Sequence, residues 1–197
     1  MVGLFDEKEL LDPGKKRFVD YQLPLTELKL WEQFFEKQES DFYYQHFIDT
    51  TPWAQHRRKM YDKIVADPRL TAWYGPNGNE WTPELLTIKQ RIEETCGIEF
   101  DCVLLNYYRD GNDSVAWHSD GLPASGKPHA IASITFGETR VFKVRPRTNK
   151  NSQLLEIPLT HGSFLLMGKT MQDHYEHHIA KTSRKIGPRI NFTFRKV

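Results

Sequence analysis

From Gly97 onward the chain changes period, and that change limits what it can become. The stretches "FDCVLLNYY", "HAIASITF", "RVFKV", "LLEIPL", "SFLLM" and "RINFTF" are short, rich in β-branched and aromatic residues, and alternate or run apolar as strands do. Between them stand "RDGND", "FGET" and "THGS", whose Gly, Asp, Asn and Ser mark turns. Strands that follow one another so closely pair antiparallel, and each needs a second layer to cover its apolar face. We therefore expect an antiparallel sandwich or barrel over 98–197.

Before Gly97 the apolar spacing is helical. "LTELKLWEQFF" places Leu25, Leu28, Trp31 and Phe35 on one helical face behind Thr26 as a cap. Thr51-Pro52 before "WAQHRRKMYDKIVA" and Thr82-Pro83 before "ELLTIKQRIEETC" both read as a cap residue followed by proline at the first helical position, and the latter helix stops at Gly97. The expected fold class is α+β, with helices over 17–97 supporting the strand-rich half. At 197 residues the length fits a single domain, 1–197, in which residues up to about Lys16 are loosely ordered.

Composition excludes several classes. The formal net charge of +1 announces no nucleic-acid partner by itself, although "QHRRK", "KVRPR" and "KTSRK" are local basic clusters. Cys96 and Cys102 lack the companions a zinc site or a disulfide scaffold needs and read as reduced core residues. No run is apolar for long enough to span a bilayer, so we expect a soluble intracellular protein, cytoplasmic or nuclear, monomeric and without membrane contact.

The chemistry concentrates in three places. In "SVAWHSDGLP", His118 and Asp120 lie two apart, so an extended backbone turns both to one face, where they can reach one metal ion. His-x-Asp alone is unspecific in a chain with eight histidines. A third ligand is available in "MQDHYEHHIAK", from His174, His177 or His178. Two histidines and a carboxylate on one face suit a non-haem Fe(II) oxygenase better than zinc, which takes a closed or nearly closed tetrahedral set. The last strand, "RINFTFR", puts Arg189, Asn191, Thr193 and Arg195 on one face and Ile190, Phe192 and Phe194 on the other. "LLNYY" similarly aligns Asn106 with Tyr108. Arginine forks, with tyrosine and asparagine donors beside them, would hold a small dicarboxylate next to a metal.

Taken together, "NYYRDGNDSVAWHSD", "HGSFLLM", "YEHHIA" and "RINFTFR" resemble the AlkB family of Fe(II)/2-oxoglutarate-dependent dioxygenases, and "PRLTAWYG" extends the resemblance to about Pro68–Val197. The resemblance implies a double-stranded β-helix (jelly-roll) core over 98–197 with helices packed on one sheet, and a substrate lid within 17–97. It makes His118, Asp120 and His177 the metal ligands, since His177 follows Tyr175 by two and precedes Ile179-Ala180. It assigns 2-oxoglutarate to Asn106, Tyr108, Arg189, Asn191, Thr193 and Arg195, with Arg189 and Tyr108 at the distal carboxylate and Arg195 and Asn106 at the chelating end. The implied cofactors are Fe(II), 2-oxoglutarate and O2. The implied reaction is oxidative demethylation of alkylated DNA or RNA, in which hydroxylation of an N-methyl group gives a hemiaminal that releases formaldehyde, with succinate and CO2 formed from the co-substrate.

The chain departs from the pattern of the repair members in two places. Leu122 stands where they carry an acidic residue that reads the damaged base, and "WYGPNGNEWTPEL" runs almost directly into Thr82-Pro83, without their aromatic lid segment. Trp73, Tyr74, Trp81 and Leu122 are the residues left to meet a substrate, Trp73 and Tyr74 being equally candidates for core packing and Trp81 reading first as a hydrophobic neighbour of the helix start at Thr82-Pro83. Because a leucine cannot pair with a cationic methylated base, the sequence also admits an oxygenase of the same chemistry acting on a protein side chain or a modified RNA.

Overall fold

The computed structural model describes residues 18–60, 62–121, 126, 128–149 and 152–196, so the segment up to Lys16 and Leu122 lie outside the described residues. In chain order the elements are β1 (Val19–Asp20), β2 (Leu28–Trp31), α1 (Lys37–Thr50), β3 (Arg57–Met60), β4 (Lys63–Ala66), β5 (Leu70–Tyr74), α2 (Pro83–Cys96), β6 (Cys102–Tyr108), β7 (Val115–His118), β8 (Ile131–Gly137), β9 (Arg140–Pro146), β10 (Leu155–Leu159), β11 (Ser163–Met167), α3 (Met171–His174), β12 (Tyr175–Ile179) and β13 (Arg189–Arg195). They form a seven-stranded sheet in the order β1-β2-β11-β8-β13-β6-β5, a four-stranded sheet in the order β10-β9-β12-β7, and the separate β3-β4 hairpin.

The large sheet has two unlike faces because its strands alternate. On the central strand β13, Arg189 lies opposite Tyr108, Asn191 opposite Asn106 and Thr135, and Thr193 opposite Ser133. This polar row faces the small sheet and is flanked by an apolar layer in which Leu28, Leu30, Ile131 and Leu165 meet Phe142, Val144, Ile157 and Leu159. The intervening residues Ile190, Phe192 and Phe194 turn outward into a second core with Tyr43 and Phe47 of α1 and Leu85, Ile88 and Ile92 of α2. Phe192 is fully buried there, edge-on to Phe47 at 4.8 Å and to Phe136 at 5.5 Å. Covering such a ring contributes about 1.5–3 kcal/mol, so the helices hold the sheet that carries the polar row. This is the jelly-roll with helices on one sheet.

The helix α2 follows from its sequence. The Thr82 hydroxyl accepts from Leu85 N at 3.3 Å, Pro83 opens the helix, and Gly97 closes it in the left-handed conformation with φ 67°. The other two expected helices are corrected. Leu28–Trp31 is a strand held by β11, where Trp31 stacks on Phe164 at 4.7 Å. The helix begins later, at Lys37, on the narrow stripe Ser40, Tyr43 and Phe47. Thr51-Pro52 ends that helix instead of opening the next, since proline disfavours the helical conformation for the residue before it. "WAQHRRKMYDKIVA" then forms the β3-β4 hairpin. Residues 17–97 are thus a mixed helical and strand support.

One turn needs its glycine. Gly137, between β8 and β9, has φ 91°, and a Cβ there would lie 2.5 Å from the Pro188 carbonyl oxygen and 2.7 Å from the Tyr44 ring.

Candidate active site

Adjacent antiparallel strands bring two histidines together. His177 on β12 lies directly opposite His118 on β7, with ring centroids 4.4 Å apart. The next pair is Ile179 with Val115, so β7 carries one extra residue, a bulge that lets both Val115 and His118 turn inward while Trp117 turns out. Asp120 follows just beyond β7, its N–H donating to Gln172 Oε1 at 2.9 Å. Its Oδ1 is 3.7 Å from His118 Nε2, its Oδ2 is 3.9 Å from His177 Nε2, and the ligand atoms of all three residues lie within 4.8 Å of one another. His118 Nδ1 is 2.8 Å from the Ala116 carbonyl oxygen, which can only accept, so the hydrogen sits on Nδ1 and the Nε2 lone pair faces its neighbours. His178 points to the opposite face and stacks on Trp117 at 3.9 Å, and His174 ends α3 outside the cluster.

The electrostatics prepare these groups as ligands. Burial alone would raise the Asp120 carboxyl, but the Arg195 guanidinium and the adjacent imidazoles of His118 and His177 hold it well below the usual carboxylate range. Arg195 Nη2 donates to its Oδ1 at 2.9 Å. Burial pushes His177 down to about 4 against the opposing pull of Asp120. At neutral pH the cluster therefore presents a carboxylate and a neutral imidazole on His177.

Beside it lies the polar row of β13 and β6. Arg189 is fully buried, its Nη2 donates to Thr135 Oγ1 at 2.9 Å, and its guanidinium stands 5.2 Å from the centre of the Tyr108 ring. Burial lowers its pKa to about 10, still far above neutrality, so it remains charged. Its Nε and Nη1 have no hydrogen-bond partner among the described residues. Asn191 and Thr193 share the row but spend their groups on it. Asn191 Nδ2 donates to Ser133 Oγ at 2.7 Å and to the Ile134 carbonyl oxygen at 3.0 Å, and its Oδ1 accepts from Thr193 Oγ1 at 3.1 Å. Asn106 Oδ1 accepts from Arg69 Nε at 2.7 Å, an arginine the sequence motifs did not single out.

Residues 68–195 match the model of the 2OG-Fe(II) oxygenase superfamily. The chain belongs to that superfamily. Several of its relatives are named as AlkB homologues. Over 187 residues it is 38% identical to the alpha-ketoglutarate-dependent dioxygenase alkB homolog 3 of Mus musculus, a match covering 85% of this chain and 65% of the relative. Over 184 residues it is 29% identical to the DNA oxidative demethylase ALKBH2 of Homo sapiens, covering 83% and 70%. The chain thus spans about 65% of the length of the alkB homolog 3 relative. The solved structure of OsALKBH1 superposes with a TM-score of 0.67 at 12% identity, covering 86% of this chain and 96% of that one, which is a likeness of fold.

Membership in the 2OG-Fe(II) oxygenase superfamily implies Fe(II) and 2-oxoglutarate, and the donor set fits both. Two imidazoles and one carboxylate crowd within reach of one ion, and the buried guanidinium of Arg189, on the same face of β13 as the Arg195 that bonds Asp120, has two unsatisfied N–H-bearing nitrogens suited to a carboxylate. The expected substrate aromatics divide. Trp73 lies opposite Leu104, on the face that carries Asn106, and its Nε1 donates to the Pro76 carbonyl oxygen at 3.0 Å. Tyr74 is buried in the outer core, and Trp81 stacks on Phe194 at 6.3 Å on the helix side. Both pack away from the triad because strand alternation and the start of α2 put them there, in the core role that the sequence also allowed them. Gln172, Arg69, Thr135 and Ser133 also escaped the sequence reading, since they lie inside stretches read for other residues and each reaches the site from a remote strand, helix or loop. No helix among the described residues is long and apolar enough to cross a membrane.

Proposed function

We propose that this chain is an Fe(II)/2-oxoglutarate-dependent dioxygenase that oxidatively dealkylates bases in DNA or RNA. The observation that carries the chemistry is the His118, Asp120 and His177 cluster, joined through Arg195 to the inward face of β13 on which the buried, half-satisfied Arg189 also lies. The nucleic-acid substrate is supported by the relatives, one of which is named as a DNA oxidative demethylase. When bound, iron and 2-oxoglutarate would supply, with O2, the oxidation of an N-alkyl carbon.

The protein's own part is positioning. His118, Asp120 and His177 hold the metal from one side, and the Ala116 carbonyl and the Gln172 amide fix the orientation of the first two. Arg189, with Tyr108 beside it, receives the distal carboxylate in a site the apolar layer keeps dry. Arg195 and Asn106 serve the other end. A cavity of about 450 Å³ opens beside His118 between the start of β5 and β7, and Arg69 and Lys181 on its wall, against the single acid Asp67, leave it net positive, which suits a phosphate backbone. Such a substrate supports the reading of a cytoplasmic or nuclear enzyme.

The test is turnover of the purified protein with Fe(II), 2-oxoglutarate and O2 against methylated DNA and RNA oligomers. We expect formaldehyde, succinate and the unmodified base in equal amounts. Succinate formation that no oligomer stimulates, with no base restored, would overturn the nucleic-acid reading.

A further inference from the structure

His129, just before β8, is a buried histidine with nothing to bind. Its residue is 7% exposed, and neither Nδ1 nor Nε2 has a hydrogen-bond partner among the described residues. Burying a polar nitrogen without a partner costs free energy, and a leucine would fill the same space without that cost. On β8, Ile131 faces the inner apolar layer and Ser133 meets Asn191 of the polar row, while Ala132 pairs with Phe194, the residue before Arg195. His129, two residues before Ile131, continues that alternation onto the face of Arg195 and Asp120, whose charges act on its ring. The ring is outside the metal cluster, whose three members are His118, Asp120 and His177 among the described residues.

The neighbouring arginine is in a similar condition. Arg195 gives Nη2 to Asp120, while its Nε is buried and without a partner. An imidazole in either tautomer carries one N–H. Two unsatisfied donors, one on a permanent cation, therefore border the same space next to the metal ligands, and an anion is the group that satisfies both.

We infer that His129 and the Nε of Arg195 together hold the carboxylate of 2-oxoglutarate at the end nearer the metal. This rests on the proposed function above. It gives His129 the role of a co-substrate contact, one that no motif in the sequence marks.

The experiment measures equilibrium binding by calorimetry with Mn(II) in place of iron, so that no turnover intervenes. Three quantities are read for wild type, His129→Leu and His129→Gln: Mn(II) affinity, 2-oxoglutarate affinity of the Mn(II)-loaded protein, and the Tm of the metal-free protein. For His129→Leu we expect unchanged Mn(II) affinity, a Tm equal to or above wild type, and 2-oxoglutarate affinity lower by about tenfold, the worth of one charge-assisted hydrogen bond. Glutamine retains an N–H and should recover most of the affinity. If leucine prevents folding, His129→Phe, which keeps a ring without a donor, gives the same reading. Wild-type 2-oxoglutarate affinity in the apolar variant overturns the inference, and so does a parallel loss of Mn(II) affinity, which would make the ring a metal ligand. A wild type that takes up Mn(II) but no 2-oxoglutarate overturns the proposed function and this inference with it.

Discussion

His118 and His177 face each other across β7 and β12 with ring centroids 4.4 Å apart, whereas His178, one residue further, stacks on Trp117 on the opposite face. The alternation of one strand thus separates two neighbouring histidines into different environments. His177→Ala should abolish 2-oxoglutarate-dependent succinate formation and weaken Fe(II) or Mn(II) binding by at least about a hundredfold, as loss of one of three ligands implies. His178→Ala and His174→Ala should keep most of the activity. Metal titration of the three variants checks this, and a dead His178→Ala beside an active His177→Ala would place the ligand on the wrong face.

Arg189 differs from a surface arginine in being fully buried with only its Nη2 engaged by a neutral side chain, Thr135. Arg189→Lys keeps a charge but loses the planar fork. The apparent KM for 2-oxoglutarate should rise roughly tenfold or more, which corresponds to the loss of about 1.5–3 kcal/mol for a hydrogen bond to a charged group. Oligonucleotide binding should stay within about twofold. Unchanged dependence on 2-oxoglutarate together with lost oligonucleotide binding would assign the arginine to phosphate instead.

The metal-free protein should weaken in mild acid. Burial holds His177 down at about 4 in the folded state, whereas an unfolded histidine takes up its proton near ~6.5. Between those values the unfolded chain binds more protons than the folded one, so stability is present above about 6.5 and is lost as pH falls toward 4. Asp120 is depressed below the carboxylate range, and its contribution is lost only below about 3.9, outside this window. Between pH 7.5 and 4.5 the loss from His177 is about 2 kcal/mol, a Tm drop of roughly 4–8 °C for a chain of this size. Thermal melts in a chelator test it, and His177→Phe, if folded, should flatten the profile.

Trp81 stacks on Phe194 on the helix side of the large sheet, away from the triad. Trp81→Ala should therefore act on stability, costing about 2–4 kcal/mol as a partly buried aromatic truncation, with KM for an oligomer substrate changed less than about twofold. A large rise in KM at unchanged Tm would return Trp81 to the substrate.

The sequence by itself determined whatever is written within a few residues. Alternation in "RINFTFR" fixed which side chains of β13 are polar and inward and which pack on the helices, and the two-residue spacing of His118 and Asp120 allowed them one face. The cap, proline and glycine of α2 fixed both its ends. Tertiary structure decided what local signals left balanced. Leu25, Leu28, Trp31 and Phe35 fit a helical period, yet Leu28 and Leu30 fit a strand equally, and the presence of β11 to pair with chose the strand. Thr51-Pro52 carries the same dipeptide as Thr82-Pro83 but follows a helix, so proline's restriction on the residue before it terminates instead of starting. The bulge in β7, Gln172 under the Asp120 amide and the unsatisfied ring of His129 all depend on partners remote along the chain. Periods and caps are short-range because they come from backbone sterics and the nearest hydrogen bonds. Pairing, burial and the satisfaction of polar atoms come from the whole fold, and a residue's neighbours in sequence do not specify them.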